Sequence, residues 1–126
     1  MIKYLLSTTF LILSLSIITF AQQSDSFAIS IEQLKQKLNT DKDFILLDVR
    51  TAAELTGPLG KIDRAISIPI QQLASRISEL NKYKEREIFV ICRTQNRSSA
   101  SADFLIRYGF NAKYVNGGMV EYVKNK

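Results

Sequence analysis

The sequence predicts an α/β domain with a mainly parallel central sheet flanked by helices. Three observations predict it. Phe44-Ile45-Leu46-Leu47 and Ile88-Phe89-Val90-Ile91 are short continuous apolar runs, the character of strands buried on both faces. Segments of helical periodicity alternate with such runs, as βαβ units require. The chain has 126 residues, and the first ~21 read differently from the rest, which leaves about 105 for one domain around one core.

Residues 1–21 read as a secretory signal peptide. Lys3 supplies a positive start, Tyr4 to Phe20 carries no charge, and Thr19-Phe20-Ala21 places small residues at the −3 and −1 positions of a cut before Gln22. An exported product, periplasmic or extracellular, is the expectation. The alternative is an uncleaved anchor, because Tyr4 to Ala21 spans 18 residues, the short edge of the roughly 17–25 that cross a bilayer. Membrane association is expected only in that case. Residues 22–29 read as a loose leader and residues 30–124 as the folded domain.

Within the domain, Ser30 heads Ile31-Glu32-Gln33 in a capping-box pattern. Ile31, Leu34 and Leu38 follow at helical spacing, and Asn39 ends that helix. Phe44 to Leu47 is the first buried strand, and Ile66-Ser67-Ile68 is another, stopped by Pro69. Leu73, Ile77 and Leu80 mark an amphipathic helix from Gln71 to Leu80. Ile88 to Ile91 is the next strand, with Cys92 at its carboxyl end. Ala100, Phe104, Leu105 and Tyr108 give one face of a helix from Ser98 to Tyr108, and Gly109 stands at its C′ position. Ala112 to Val115 forms the last strand, and Asn116-Gly117-Gly118 turns into a short terminal helix. Tyr83, Phe104 and Tyr108 read as packing residues.

Composition excludes much chemistry. Histidine is absent and cysteine occurs once, so there is no Ser-His-Asp triad, no Cys-His pair, no thiolate or histidine metal site and no internal disulfide. No metal or organic cofactor is expected. The net charge of +5 is interspersed without long runs of one sign, which reads as a mixed solvated surface with a bias toward small anions. Nucleic acid is not an expected partner.

The chemistry converges on Cys92-Arg93-Thr94-Gln95-Asn96-Arg97. In parallel α/β sheets the ligand crevice lies beyond the carboxyl ends of the strands, where Cys92 and Asp48 both fall. A thiol there, followed by a loop and a helix start, faces free N–H groups and the positive end of a helix dipole. Arg93 and Arg97 add charge. Such surroundings favour the thiolate and form a nest for an anionic ligand. A small buried core residue is the plain alternative for a lone cysteine. Asp48, Arg50 and Glu54 read as an ion-pair set that ties a loop to the sheet.

These segments resemble the rhodanese family, specifically the exported single-domain thiosulfate sulfurtransferases. Leu46-Leu47-Asp48-Val49-Arg50 with Glu54, Gly60-Lys61-Ile62 through Ala65-Ile66-Ser67-Ile68-Pro69, Cys92 to Arg97 with Ser98 behind, Gly109-Phe110 and Gly117-Gly118 carry the resemblance in order and spacing. It implies a rhodanese-like domain in which Cys92 is the catalytic nucleophile and Arg93, Thr94, Gln95, Asn96 and Arg97 bind the substrate. It implies transfer of a sulfane sulfur from thiosulfate, through a Cys92 persulfide, to cyanide in an assay or to a thiol or protein acceptor in the cell. A non-enzymatic persulfide carrier or binding module is the alternative. Four residues separate Cys92 from Arg97, one fewer than in the related phosphatase loops, and the smaller nest suits sulfur over phosphate. Gln95 stands where the family loop usually carries glycine, so a position that demands φ > 0 would be strained.

Overall fold

The computed structural model describes residues 27–41 and 43–124. The expected signal peptide and the first residues of the leader lie outside the described residues. The elements are β1 (Ala28–Ile29), α1 (Ile31–Thr40), β2 (Phe44–Asp48), α2 (Ala52–Leu55), β3 (Ile66–Ser67), α3 (Ile70–Arg76), a 3₁₀ segment (Ile77–Tyr83), β4 (Glu87–Ile91), α4 (Asn96–Arg107), β5 (Asn111–Val115) and α5 (Gly118–Lys124). The five strands form one sheet in the order β1-β5-β4-β2-β3, and every neighbouring pair is parallel.

Alternation along the strands divides the core in two. Ile45 and Leu47 of β2 join Ile88 and Val90 of β4 on the face covered by Leu73 of α3 and Ala102 and Leu105 of α4. Phe44, Leu46, Phe89 and Ile91 face Ile31 and Leu34 of α1 and Met119 of α5. All five residues of β2 are buried, the two-sided burial that its apolar run predicts. By the same period of two, Cys92 follows Ile88 and Val90 into the α3–α4 side of the core.

Local signals act as expected at two helix ends. Ser30 Oγ accepts from the Gln33 N–H at 3.1 Å, while Gln33 Oε1 accepts from the Ser30 N–H at 2.8 Å, a complete capping box. At the end of α4, Gly109 has φ +87, and the N–H groups of Phe110 and Gly109 reach back to the carbonyls of Leu105 and Ile106 at 3.1 and 3.0 Å. This is a Schellman closure, which requires the left-handed conformation that glycine adopts freely.

Away from the active-site loop, three elements differ most from expectation. Ala28–Ile29, expected as leader, is a strand that pairs with Tyr114 and Val115; two residues are too few to show a periodicity. α2 is a four-residue helix under a second capping box, Thr51 with Glu54. The helix expected from Gln71 to Leu80 leaves α-geometry at Arg76, whose φ/ψ are −112/9, and continues as 3₁₀. The cause is the spacing of Ile77, Leu80 and Tyr83: residues three apart share one face at three residues per turn, and all three pack on the core.

Candidate active site

The strand order creates the crevice. The chain leaves β2 toward β3 on one side and leaves β4 toward β5 on the other. Connections thus diverge at the carboxyl ends of β2 and β4, the switch point where α/β sheets bind ligands. Asp48 and Ile91 pair across these strand ends, so the segments after Asp48 and after Ile91 flank the opening.

Cys92 is fully buried at its floor. Its Sγ accepts a hydrogen bond from the Ser98 N–H at 3.4 Å and donates to Ser98 Oγ at 3.4 Å. Ser98 Oγ donates in turn to the Gln95 carbonyl at 3.1 Å. Ser98 is the residue that the sequence reading left out of the site, and its signal was there: a serine directly behind Arg97, in the first turn of a helix whose free N–H groups face the strand end.

That helix starts earlier than expected. The Gln95 carbonyl accepts from the Ser99 N–H at 2.8 Å, so α4 begins at Asn96, and Asn96 and Arg97 belong to its first turn. The loop proper is Arg93-Thr94-Gln95. Arg93, Thr94, Gln95 and Asn96 are exposed around the opening, and Arg97 is half-buried. The strain expected at Gln95 is absent, because its φ is −152 and no described non-glycine residue has positive φ. Its side chain takes a different role: Oε1 accepts from the Gly117 N–H at 3.3 Å.

Gly117-Gly118 explains how the loop is held. Gly118 has φ +58, and a Cβ there would lie within 2.6 Å of the Cys92 and Arg93 carbonyl oxygens and closer still to that of Thr94. No other residue type fits that approach. The first turn of α5 then donates to the loop, Met119 N–H to the Cys92 carbonyl at 2.9 Å and Val120 N–H to the Arg93 carbonyl at 3.0 Å. With these carbonyls turned toward α5, the loop keeps a single course over the sulfur.

Arg97 is not a free cation. Its Nη1 and Nη2 donate to Glu54 Oε2 and Oε1, each at 2.7 Å. The guanidinium, helped by the Thr51 N–H and hydroxyl, holds the Glu54 carboxyl down at about 2, against an ordinary value of 4.5. The pair raises Arg97 correspondingly, with smaller contributions from Cys92 and Asp48. Arg93, by contrast, has no carboxylate within ion-pair distance among the described residues.

The expected set of Asp48, Arg50 and Glu54 separates into two pairs. Asp48 and Arg50 are buried together, with Arg50 Nη2 on Asp48 Oδ2 at 2.7 Å and Nε on Oδ1 at 3.0 Å. Arg50 also donates to the Gly60 carbonyl at 2.9 Å, which ties the connection after α2 to the sheet as expected. Glu54 serves α4 instead. Among the described residues no cluster of three or more His, Cys, Asp or Glu is placed to hold a metal ion.

Comparison with known proteins agrees with this geometry. The rhodanese-like domain model matches residues 30–125. A sulfurtransferase of Allochromatium vinosum is 30% identical over 95 residues, covering 75% of this chain and 85% of the relative. YrkF of Bacillus subtilis, named as a candidate sulfur carrier protein, is 34% identical over 88 residues, covering 70% of this chain and 45% of YrkF. A rhodanese-related protein of Thermoplasma volcanium superposes with a TM-score of 0.69 at 31% identity, covering 78% of this chain and 91% of that one. With its five parallel strands, its cysteine under the amino end of α4 and this match over nearly the whole described chain, the protein belongs to the rhodanese-like family.

Proposed function

We propose that the chain is a sulfurtransferase that moves a sulfane sulfur from thiosulfate to a nucleophilic acceptor through Cys92. The observation that carries the reading is the seat of the sulfur: Cys92 Sγ lies beneath the first turn of α4 and takes the Ser98 N–H. Negative charge on that sulfur is stabilised there by an oriented donor and by the helix dipole. In the first step the Cys92 thiolate attacks the outer sulfur of thiosulfate. A new S–S bond forms, the bond to the sulfonate sulfur breaks, and sulfite leaves with the electron pair. In the second step the acceptor attacks the outer sulfur of the persulfide and the thiolate returns. Burial of Cys92 suits a covalent carrier, because a disulfide-length bond of about 2.05 Å extends the reactive atom away from the floor. Arg93, exposed and unopposed, attracts the anionic donor.

Two covalent half-reactions predict ping-pong kinetics with thiosulfate and cyanide. Mass spectrometry of the purified chain after thiosulfate should show the gain of one sulfur atom, and cyanide should remove it as thiocyanate. A chain that gains the sulfur but does not turn over is a persulfide carrier, the second reading, which the likeness to YrkF favours. A chain that gains no sulfur from thiosulfate sinks the proposed donor. Export is proposed with this function, on the strength of residues 1–21 alone.

A further inference from the structure

Side by side on one face of the sheet, α3 and α4 leave a cavity of ≈ 220 Å³ between them. Ile70, Leu73 and Ala74 of α3 line it from one side, and Ala100, Ser101 and Phe104 of α4 from the other. Ala74 and Ala100 are exposed and too short to close it from outside. The half-buried ring of Phe104 meets the exposed ring of Tyr108, centroids 4.7 Å apart, and forms the lip. No lining residue is charged, and none belongs to the segment from Cys92 to Arg97.

Ser101 sets this cavity apart from a packing gap. The buried residues of α4 are Ser98, Ser101, Ala102 and Leu105. Ser98 Oγ accepts from Cys92 Sγ and donates to the Gln95 carbonyl. Ser101 is 1% exposed, and its Oγ is the one buried side-chain polar atom without a hydrogen-bond partner among the described residues. Alanine there would fold better, through its higher helix propensity and the loss of an unsatisfied group. A hydroxyl held against that gradient at the wall of a cavity points to binding.

We infer that the α3–α4 cavity is a second ligand site, for a small uncharged ring or short chain that carries one hydroxyl or carbonyl group. An apolar cavity of about 150 Å³ holds a benzene ring, so this one holds a ring with a substituent. Anions such as thiosulfate are excluded, because no charge on the lining offsets their desolvation. A buried water needs about two to four polar partners, and the lining side chains supply a single hydroxyl. A wholly apolar ligand leaves that hydroxyl unsatisfied. Because it can both donate and accept, an alcohol, a phenol or a ketone satisfies it. Ser101 Oγ is closed to bulk solvent, so the ligand reaches it by parting the lip that Phe104 forms. This inference goes beyond the sulfur-transfer reading and does not depend on it.

The test is an NMR titration of the isotope-labelled chain with phenol and with toluene, which carries a methyl in place of the hydroxyl. Phenol should shift the amides of Ala74, Ala100 and Ser101 with a Kd of about 1–10 mM, the reach of so small a ligand. Ser101→Ala should raise the ratio of the phenol Kd to the toluene Kd about fivefold, the worth of one hydrogen bond. Without ligand, the same variant should unfold about 3–6 °C higher than the parent. Ala100→Phe fills the cavity from the exposed side of α4 and should weaken both probes about tenfold. Amides that stay unmoved in about 20 mM phenol, a Kd ratio untouched by Ser101→Ala, or a midpoint that does not rise each overturns the inference. Shifts at the same amides that follow protein concentration without any probe assign the groove to a second copy of the chain, and overturn it as well.

Discussion

Glu54 and Arg97 meet through two hydrogen bonds of 2.7 Å each, across the crevice between the ends of β2 and β4. One belongs to the connection that runs to β3, the other to the helix that runs to β5. The pair therefore joins the two sides of the site, and it places the Arg97 charge on a carboxylate of the protein. Of the two arginines of the loop segment, Arg93 is the one left open to an anionic ligand among the described residues.

The pair makes an acid-sensitive latch. The Glu54 carboxyl sits at about 2 in the folded chain against 4.5 ordinarily, so the unfolded chain binds a proton more readily between those values. The stabilisation is complete above pH 4.5 and is lost as pH falls toward 2. Solvent screening of this half-buried pair limits it to about 1–2 kcal/mol. Glu54→Gln should lose that amount at pH 7 in urea unfolding and show a flatter decline in acid. Parallel acid profiles for the two proteins contradict the latch.

The close approach of α5 to the loop makes Gly118 irreplaceable. Gly118→Ala meets three carbonyl oxygens and must also hold φ +58. We expect a destabilisation of about 2–4 kcal/mol and sulfur transfer reduced at least about tenfold even where the chain remains folded. Gly60→Ala is the control, because it too has positive φ but a Cβ there meets nothing within 4 Å. Thermal unfolding and turnover of both variants decide the matter: equal effects would assign the loss to φ alone.

Cys92→Ser should keep the fold and abolish both the persulfide and turnover, since a hydroxyl stays protonated at neutral pH and cannot carry a sulfane sulfur. Ser98→Ala removes the hydroxyl that accepts from the thiol but leaves the amide that donates to it. Its turnover should fall by a smaller factor, about threefold to tenfold, the worth of one ordinary hydrogen bond. Mass analysis after thiosulfate reads the first variant and steady-state kinetics the second. Persulfide formation in Cys92→Ser would remove the central claim.

Asp48→Ala leaves the Arg50 guanidinium buried without its carboxylate. Breaking one side of a buried pair costs about 3–5 kcal/mol, a large fraction of the stability of a small domain. Chemical unfolding should show that loss, with Asp48→Asn intermediate because the amide oxygen still accepts from Arg50.

N-terminal mass analysis of the protein expressed in a bacterial host should find a chain that begins at or near Gln22. A chain that retains Met1 in the membrane fraction would favour the anchor.

By itself the sequence determined the alternation of buried strands with amphipathic helices, the caps at Ser30 and Gly109, and the position of Cys92 at a strand end. These are local: a period of two or of 3.6, or a single capping residue, is visible within one turn or one strand. Tertiary structure decided the rest. Ala28–Ile29 is a strand because β5 lies beside it, and no pattern within two residues could announce that. Arg97 is paired because a turn of helix 43 residues earlier delivers Glu54 to it, and the order of strands in the sheet, not spacing along the chain, brings those two together. Met119 and Val120, read only as part of a terminal helix, hold the active-site loop through their backbone N–H groups. Any residue but proline carries such a donor, so side-chain identity could not reveal it, and only the packing of α5 against the loop assigns it.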